Sequence, residues 1–349
     1  MGRLKLFATS VLLAVGALLP VSGSAQAAVP DAYAFATWDG VATADMFPAG
    51  AIAPGAPGVY QVTFGGVGGP GGVVHVTAIS SAGHSCQALA WGASLPNEIV
   101  LVRCYNAAGV LANTGFTVTY SRSTPLIVGP GQHAYADVPG PGVPANRFNQ
   151  LGAVTAVDTN GPPPGEMTVT FAGVASPTFA GNIQVTAVNQ VAVRCKVSGW
   201  IPTPNLQVRV WCFNAAGTPV DSRFTISYSA QRNVFGGWAA GGKFAYLSIW
   251  PGGVAPITFT VGQTNFNNVT GPNTNSAAGP FPDYQLKLPQ VFFPVDDLQV
   301  TALGVDNRYC GIASLWGNAG PDVIGRVLCF TPGGAPAPSG SSVTYGQRT

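Results

Sequence analysis

The feature that most constrains this chain is a unit that occurs three times. An apolar, strand-like segment begins at Val74 and returns at Ile183 and Leu298. Each copy then carries a cysteine, a tryptophan, a second cysteine and a closing tyrosine. These residues are Cys86, Trp91, Cys104 and Tyr120, then Cys195, Trp200, Cys212 and Tyr228, then Cys310, Trp316, Cys329 and Tyr345. The closing tyrosine follows the second cysteine by 16 residues in every copy. This constant order and spacing indicates tandem repetition of one structural unit.

A leader precedes the repeats. Arg3 and Lys5 come before an apolar run that is too short to span a membrane. Ala25–Ala27 is a cleavage site of small residues, so the start of the chain has the pattern of a secretory signal peptide. We therefore predict a signal peptide at residues 1–27 and repeat units at 28–123, 124–232 and 233–349. Units of this size fall in the range of ordinary domains, and we expect each to fold alone.

Composition and periodicity indicate an all-β fold. The 46 Gly and 30 Pro residues, with only 8% charged residues, argue against helical bundles, and 47% hydrophobic residues argue against disorder. Alternating patterns bounded by Gly, Pro and Asn predict about seven short strands in each unit. We therefore predict three tandem β-sandwich units of immunoglobulin-like architecture. The alternative is a β-propeller in which each unit supplies two blades.

The six cysteines predict one disulfide in each unit. In an antiparallel hairpin, opposed residues have position numbers of constant sum, and the midpoint of each cysteine pair falls in a predicted turn. Opposed residues lie about 4.5–5.5 Å apart at Cα, which suits a disulfide. The predicted pairs are Cys86–Cys104, Cys195–Cys212 and Cys310–Cys329. A zinc site is disfavoured because no histidine or carboxylate recurs beside the two cysteines of each unit.

The charge balance argues against two classes of partner. Removal of the leader takes away Arg3 and Lys5, which leaves 13 basic and 13 acidic residues. A balanced chain has no evident source for the basic patch that nucleic-acid binding needs. Polybasic attachment to a membrane is equally unsupported. We expect a secreted, extracellular protein with no nucleic-acid partner and no membrane insertion after cleavage.

The histidines show no catalytic signature. His75 occupies the repeat position of Gln184 and Gln299, which we interpret as a solvated outward position on a strand. His84 and His133 have no histidine counterpart in the other units. The chain has no Gly-x-Ser-x-Gly elbow, no His-Glu-x-x-His motif and no P-loop. We therefore predict no enzymatic activity and no cofactor.

The densest acidic group is Asp296, Asp297 and Asp306. These residues could contribute to a weak Ca²⁺ site together with carbonyl oxygens. Asp296 and Asp297 align with Gly181 and Asn182 of the second unit, however, so the repeat does not require them. We interpret them as solvated turn residues and predict no metal site.

One aromatic patch is the candidate ligand site. Trp211 precedes Cys212, which we assign to the core face, so strand alternation directs Trp211 outward. Arg209 lies on the same face, and the hairpin symmetry places Trp200 opposite Gln207. Two rings and a guanidinium could bind a sugar ring. The alternative is that these rings pack against a neighbouring unit.

The second unit carries a resemblance. The segment from Gln184 to Tyr228, preceded by Met167–Val174, resembles a repeat of exported proteins from actinobacteria and myxobacteria. The resemblance is weaker in the first unit and loosest in the third, where Leu286–Leu288 replaces the Val-Thr-Phe pattern. It implies secretion and a β fold, and it implies no activity and no functional residues.

These observations favour a secreted, non-enzymatic binding or adhesion protein. Its expected ligand is cell-envelope polysaccharide or a cell-surface protein. One alternative is a structural extracellular spacer or surface component without a specific ligand. The other is an exported hydrolase with an unrecognised site, which would require a cleft that gathers Asp or His side chains.

Overall fold

A computed structural model of the protein describes residues 32–123, 131–159, 164–174, 181–201, 204–236, 242–249, 264–277 and 283–348. The predicted signal peptide lies outside these residues. Throughout the described ranges the regular elements are β-strands. No helix in these ranges has the length and apolar character needed to cross a membrane.

The first unit is a sandwich of two four-stranded layers. Its strands are β1 (Ala32–Trp38), β2 (Thr43–Phe47), β3 (Gly50–Pro54), β4 (Val59–Phe64), β5 (Val73–Ile79), β6 (Ser85–Ser94), β7 (Asn97–Tyr105) and β8 (Gly115–Arg122). One layer has the order β2-β1-β8-β5 and the other has the order β3-β4-β7-β6. Alternation along the strands directs apolar residues such as Val62, Val100 and Val118 between the layers, where they form the core.

The second unit repeats this arrangement. Its strands are β9 (Gln132–Val138), β10 (Arg147–Asn149), β11 (Thr155–Thr159), β12 (Glu166–Phe171), β13 (Asn182–Val188), β14 (Val193–Ile201), β15 (Leu206–Asn214) and β16 (Arg223–Ala230). The layers have the orders β10-β9-β16-β13 and β11-β12-β15-β14. This is the same strand order as in the first unit, so the sequence repeat is also a structural repeat.

The third unit adds one short strand to the same plan. Its strands are β17 (Phe244–Ile249), β18 (Asn265–Asn267), β19 (Thr274–Ala277), β20 (Asp283–Leu288), β21 (Asp296–Leu303), β22 (Tyr309–Ile312), β23 (Gly317–Ala319), β24 (Asp322–Phe330) and β25 (Gly340–Gln347). The layers are β18-β17-β25-β21 and β19-β20-β24-β22, with β23 beside β24. The predicted all-β fold of three sandwich units is confirmed. Its similarity to immunoglobulin domains is one of architecture, because the strand order differs.

The three predicted disulfides are confirmed. Each joins two residues that are directly opposed across a hairpin. The Cα–Cα distances are 4.1 Å for Cys86–Cys104, 4.0 Å for Cys195–Cys212 and 3.9 Å for Cys310–Cys329. Three disulfides indicate an oxidising, extracellular-like environment.

The sheets continue from each unit into the next. Strand β6 of the first unit lies parallel to β13 of the second, β14 lies parallel to β21 of the third, and β22 lies parallel to β5 of the first. Each of the three sheets therefore consists of half-sheets from two neighbouring units. The third contact returns to the first unit, so the chain closes into a ring with approximate three-fold symmetry. This closure gives every unit contacts with two neighbours that the repeats alone did not reveal.

Polar side chains link the inner strands β5, β13 and β21 at the centre of the ring. In each link, a threonine hydroxyl oxygen of one unit accepts a backbone N–H of another. The pairs are Val300 to Thr77 at 3.0 Å, Val185 to Thr301 at 2.9 Å and Val76 to Thr186 at 3.0 Å. These bonds satisfy buried backbone donors on strand edges that the sheets leave unpaired.

The interpretation of His75 as a solvated residue is wrong. His75, Gln184 and Gln299 are 2%, 1% and 0% exposed. The face that would meet water in an isolated sandwich packs instead against neighbouring units. His75 Nε2 lies 2.8 Å from Ser227 Oγ of the second unit. Burial lowers the pKa of His75 to about 3, and the nearby His133 contributes to the shift.

The interpretation of Asp296 and Asp297 as solvated turn residues is also wrong, because both are buried. Asp297 accepts hydrogen bonds from the Thr117 hydroxyl of the first unit and from the Gln299 amide. Asp296 accepts hydrogen bonds from Trp316 Nε1 and Tyr345 OH, each at 2.7 Å.

Asp306 lies apart from this pair and forms an ion pair with Lys196, with Oδ1 and Nζ 2.6 Å apart. The three carboxylates that suggested a Ca²⁺ site therefore contact separate partners. Within the described part of the chain, no group of three or more His, Cys, Asp or Glu side chains could hold a metal ion.

Candidate functional site

The predicted patch of Trp211, Arg209 and Trp200 does not form as a unit. A β-bulge between Val197 and Gly199 shifts the register of the hairpin, so Trp200 lies opposite Val208 and not Gln207. The extra residue reverses the side to which the following side chains point. Trp200 consequently packs in the core of the second unit and is 7% exposed. Its predicted place on the outer face is wrong.

Trp211 and Arg209 do share the outer face. Trp211 is half-buried, and its ring meets Phe213 edge to face with centroids 5.6 Å apart. Arg209 is exposed, with Nη1 3.8 Å from Glu166 Oε1. One half-buried ring beside one weakly paired cation is a shallow surface. As a ligand site it stays a prediction.

A second candidate is an open cleft at the junction of the first and second units, with a volume of about 720 Å³. This volume falls in the range of small-ligand sites. The lining residues are Leu89, Pro139, Gly140, Pro141, Met167, Val188, Asn189, Gln190, Asp221, Ser222 and Arg223. Antiparallel pairing places the end of β13 beside the start of β16, and the parallel contact with β6 brings the first unit alongside at the point where the cleft opens.

Among the described residues that line the cleft, Arg223 is the one cation, and it is paired with Asp137, which lies outside the lining. Arg223 Nε donates to Asp137 Oδ1 at 2.8 Å, and Arg223 Nη2 donates to Asp137 Oδ2 at 2.7 Å. The guanidinium carbon lies 5.0 Å from the centroid of the Trp91 ring of the first unit. The Arg223 guanidinium is planar, makes two hydrogen bonds to Asp137 and lies near the Trp91 ring. These contacts strongly restrict its orientation. The Arg223 side chain is nonetheless 40% exposed, so it remains accessible to a ligand.

The repeats show that the fold does not require this pair. Gly115 and Gly340 occupy the position of Arg223 in the other two units, counted from the closing tyrosine. Thr37 and Ser248 occupy the position of Asp137, because each lies opposite the residue three before the closing tyrosine, as Asp137 lies opposite Thr225. The first and third units form the same sandwich with these other residues in place of the pair. Alignment of the three copies was the signal that could have identified the pair, which our sequence analysis missed.

Hydrogen bonds hold the polar residues around the pair in place. Asn189 Nδ2 donates to Ser222 Oγ at 3.0 Å, and Asp221 Oδ1 accepts the Gly165 N–H at 2.7 Å. At the rim, the Gln190 carbonyl oxygen accepts bonds from Arg103 Nη1 at 2.6 Å and from Tyr105 OH at 2.9 Å. The site is therefore organised before any ligand enters.

No family model, curated protein or solved structure matches this chain. The candidate site is therefore interpreted from its own residues. The cleft combines fixed hydrogen-bonding groups with apolar wall residues such as Leu89 and Pro139. This arrangement suits recognition by hydrogen bonding and by contact with apolar ligand faces.

Proposed function

We propose that this protein is a secreted, non-enzymatic binding protein that attaches to extracellular polysaccharide through the cleft between its first and second units. The observation that carries the proposal is the Arg223–Asp137 pair beside Trp91. Only the second unit contains this pair, so it is a local addition to a repeat that folds without it.

The chemistry of the cleft supports a saccharide ligand. A sugar presents adjacent hydroxyl groups on its edge and C–H groups on its faces. Arg223, held in place by Asp137, offers N–H donors to the hydroxyls, and Asp221 offers acceptor oxygens. Leu89, Pro139 and Pro141 offer apolar surface to the C–H groups.

Three features support an extracellular setting for this function. The predicted signal peptide at residues 1–27 would direct export. The three disulfides are suited to an oxidising compartment. The repeat also resembles those of exported actinobacterial and myxobacterial proteins, which agrees with the predicted signal peptide and with the disulfides.

The test is retention of the mature chain, residues 28–349, on insoluble cell-wall polysaccharide, cellulose and chitin in a sedimentation assay. Arg223→Ala should reduce retention on the bound polymer at least tenfold. The matched control is Arg326→Ala in the third unit. Arg326 and Asp283 form a similar pair, with side chains 46% and 13% exposed against 40% and 13% for Arg223 and Asp137.

Retention should be unchanged in the control. Equal losses in both variants would contradict the assignment of the cleft. A wild-type protein that binds no polysaccharide would favour a structural spacer or a protein ligand.

A further inference from the structure

We propose that the cleft selects neutral, hydroxyl-rich saccharides over acidic ones. This inference rests on the proposed function, because it names the class of ligand that the same site takes. Uronic acid polymers and phosphate-bearing wall polymers would be the excluded class.

The first reason is that the cation of Arg223 is already paired. Two of its nitrogen atoms donate to the two oxygens of Asp137, whose side chain is only 13% exposed. An acidic ligand would have to compete with Asp137 for the same guanidinium. If the ligand displaced Asp137 from Arg223, the mostly buried Asp137 carboxylate would lose its partner, which is strongly unfavourable.

The second reason is the charge balance of the whole site. Arg223 and Asp221 are the charged residues of the lining, Asp137 neutralises Arg223 from beside it, and Arg103 adds a second positive charge at the rim. Two aspartates and two arginines give a formal sum of zero. A polymer with a negative charge on each sugar therefore gains little net attraction at the cleft.

The third reason is the mixture of donors and acceptors. A hydroxyl both donates and accepts hydrogen bonds, whereas an ionised carboxylate or phosphate only accepts them. Arg223 presents N–H donors, Asp221 presents acceptor oxygens, and the Ser222 hydroxyl and the Gln190 side-chain amide belong to types that do both. Adjacent sugar hydroxyls can use both kinds of group, while an anion can use only the donors.

The experiment compares affinity for soluble neutral polymers with affinity for acidic polymers, by affinity electrophoresis and isothermal titration calorimetry. The neutral probes are dextran, mannan, arabinogalactan and hydroxyethyl cellulose. The acidic probes are polygalacturonate, alginate and hyaluronate. We expect at least tenfold tighter binding to one or more neutral polymers than to any acidic one. We also expect the neutral affinity to change less than twofold between 50 mM and 500 mM NaCl.

Asp137→Asn supplies a second readout that a general loss of binding would not produce. The substitution frees the Arg223 cation, so the ratio of neutral to acidic affinity should fall at least fivefold. Asp283→Asn in the third unit is the matched control and should leave that ratio unchanged. Circular dichroism of each variant checks that the fold is retained.

The possible failures are distinguishable. Tighter binding to an acidic polymer that depends on Arg223 would overturn the ligand class and leave the proposed function intact. Binding of neither class by the wild-type chain would overturn both. A ratio that does not change in Asp137→Asn would overturn the role assigned to the paired cation.

Discussion

Thr77 accepts the backbone N–H of Val300 at 3.0 Å, across the junction between the first and third units. The two residues are 223 positions apart in the chain. The same relationship recurs at the other two junctions, where Thr301 accepts from Val185 and Thr186 accepts from Val76. The first and last repeats are therefore in direct contact, and the ring is closed by bonds that are equivalent at every junction.

Removing the hydroxyl at one junction should destabilise the whole ring. Thr77→Val preserves the shape of the side chain but leaves the buried Val300 N–H without its acceptor. We expect a loss of about 1–3 kcal/mol in the free energy of unfolding. Guanidinium denaturation followed by fluorescence measures this, with exposed Thr43→Val as the control. A loss below about 0.5 kcal/mol would show that the central hydrogen bonds contribute little.

An isolated second unit should not remain a monomer, contrary to our expectation from the sequence. Residues 124–232 alone would expose the edges of β13 and β14, which pair with β6 and β21 in the intact chain. Unpaired strand edges promote association. Analytical ultracentrifugation after expression under oxidising conditions should show self-association or an unfolded chain. A monodisperse monomer with native near-UV circular dichroism would show that each unit folds independently.

The core of the first unit contains a carboxylate that the other units replace with apolar residues. Glu98 is fully buried at the position of Leu206 and Val323, and burial raises its pKa to about 7. Its nearest cationic neighbour is Arg122, which aligns with Ala230. The double substitution Glu98→Leu and Arg122→Ala should stabilise the protein by about 1–4 kcal/mol, because removing the cost of the buried Glu98 carboxylate outweighs the loss of its long hydrogen bond, 3.3 Å from the Gly69 N–H. Thermal unfolding that occurs at a lower temperature than in the wild type would contradict this.

The buried pair at the junction of the third and first units should make stability depend on pH. Burial raises the pKa of Asp297 to about 7 and that of Asp296 to about 6, and the nearby Asp45 acts in the same direction. Because the folded pKa values lie above the unfolded value of 3.8, folding favours the protonated carboxyls. Their ionisation therefore lowers stability as the pH rises from about 4 to about 7, and the full penalty is present above that range.

Asp297→Asn tests this dependence, because Asn182 occupies the same position in the second unit. The free energy of unfolding of the variant should exceed that of the wild type. This difference should grow between pH 4 and pH 7 and then level off, at up to ~4 kcal/mol. The comparison with the wild type is needed because burial lowers the pKa values of His75 and His133 to about 3, which destabilises the fold in acid. A gain that is constant across this pH range would refute the linkage.

The sequence alone predicted those features that depend on local pairing. Each disulfide joins two cysteines 17 to 19 residues apart within one hairpin, so position numbers were sufficient to predict it. Alternation and turn residues predicted a sandwich of about seven strands in each unit, whereas the described residues contain eight in the first and second units and nine in the third, and the three copies defined the number of units. The hairpins that carry the disulfides arise from contacts between residues close in the chain, whereas each sandwich also contains distant pairings such as Thr37 with Thr117.

At the predicted ligand patch, a local irregularity in strand β14 made the prediction from alternation wrong. The bulge between Val197 and Gly199 adds one residue, and the side-chain period along a strand is two. Trp200 therefore points into the core, whereas its predicted partners Arg209 and Trp211 stay on the outer face. The alternation of apolar and polar residues in this hairpin does not indicate the extra residue.

Tertiary structure alone decided how the units meet and where ligands could bind. A polar residue such as His75, Gln299 or Asp297 has the same sequence pattern whether it faces water or bonds to a neighbouring unit. Its burial depends on contacts such as that between Thr117 and Asp297, which are 180 residues apart. The cleft at Arg223 likewise forms only where Leu89 of the first unit is brought beside residues of the second. Alternation records which residues share a face of a strand, but the partner of that face is set by packing between distant parts of the chain.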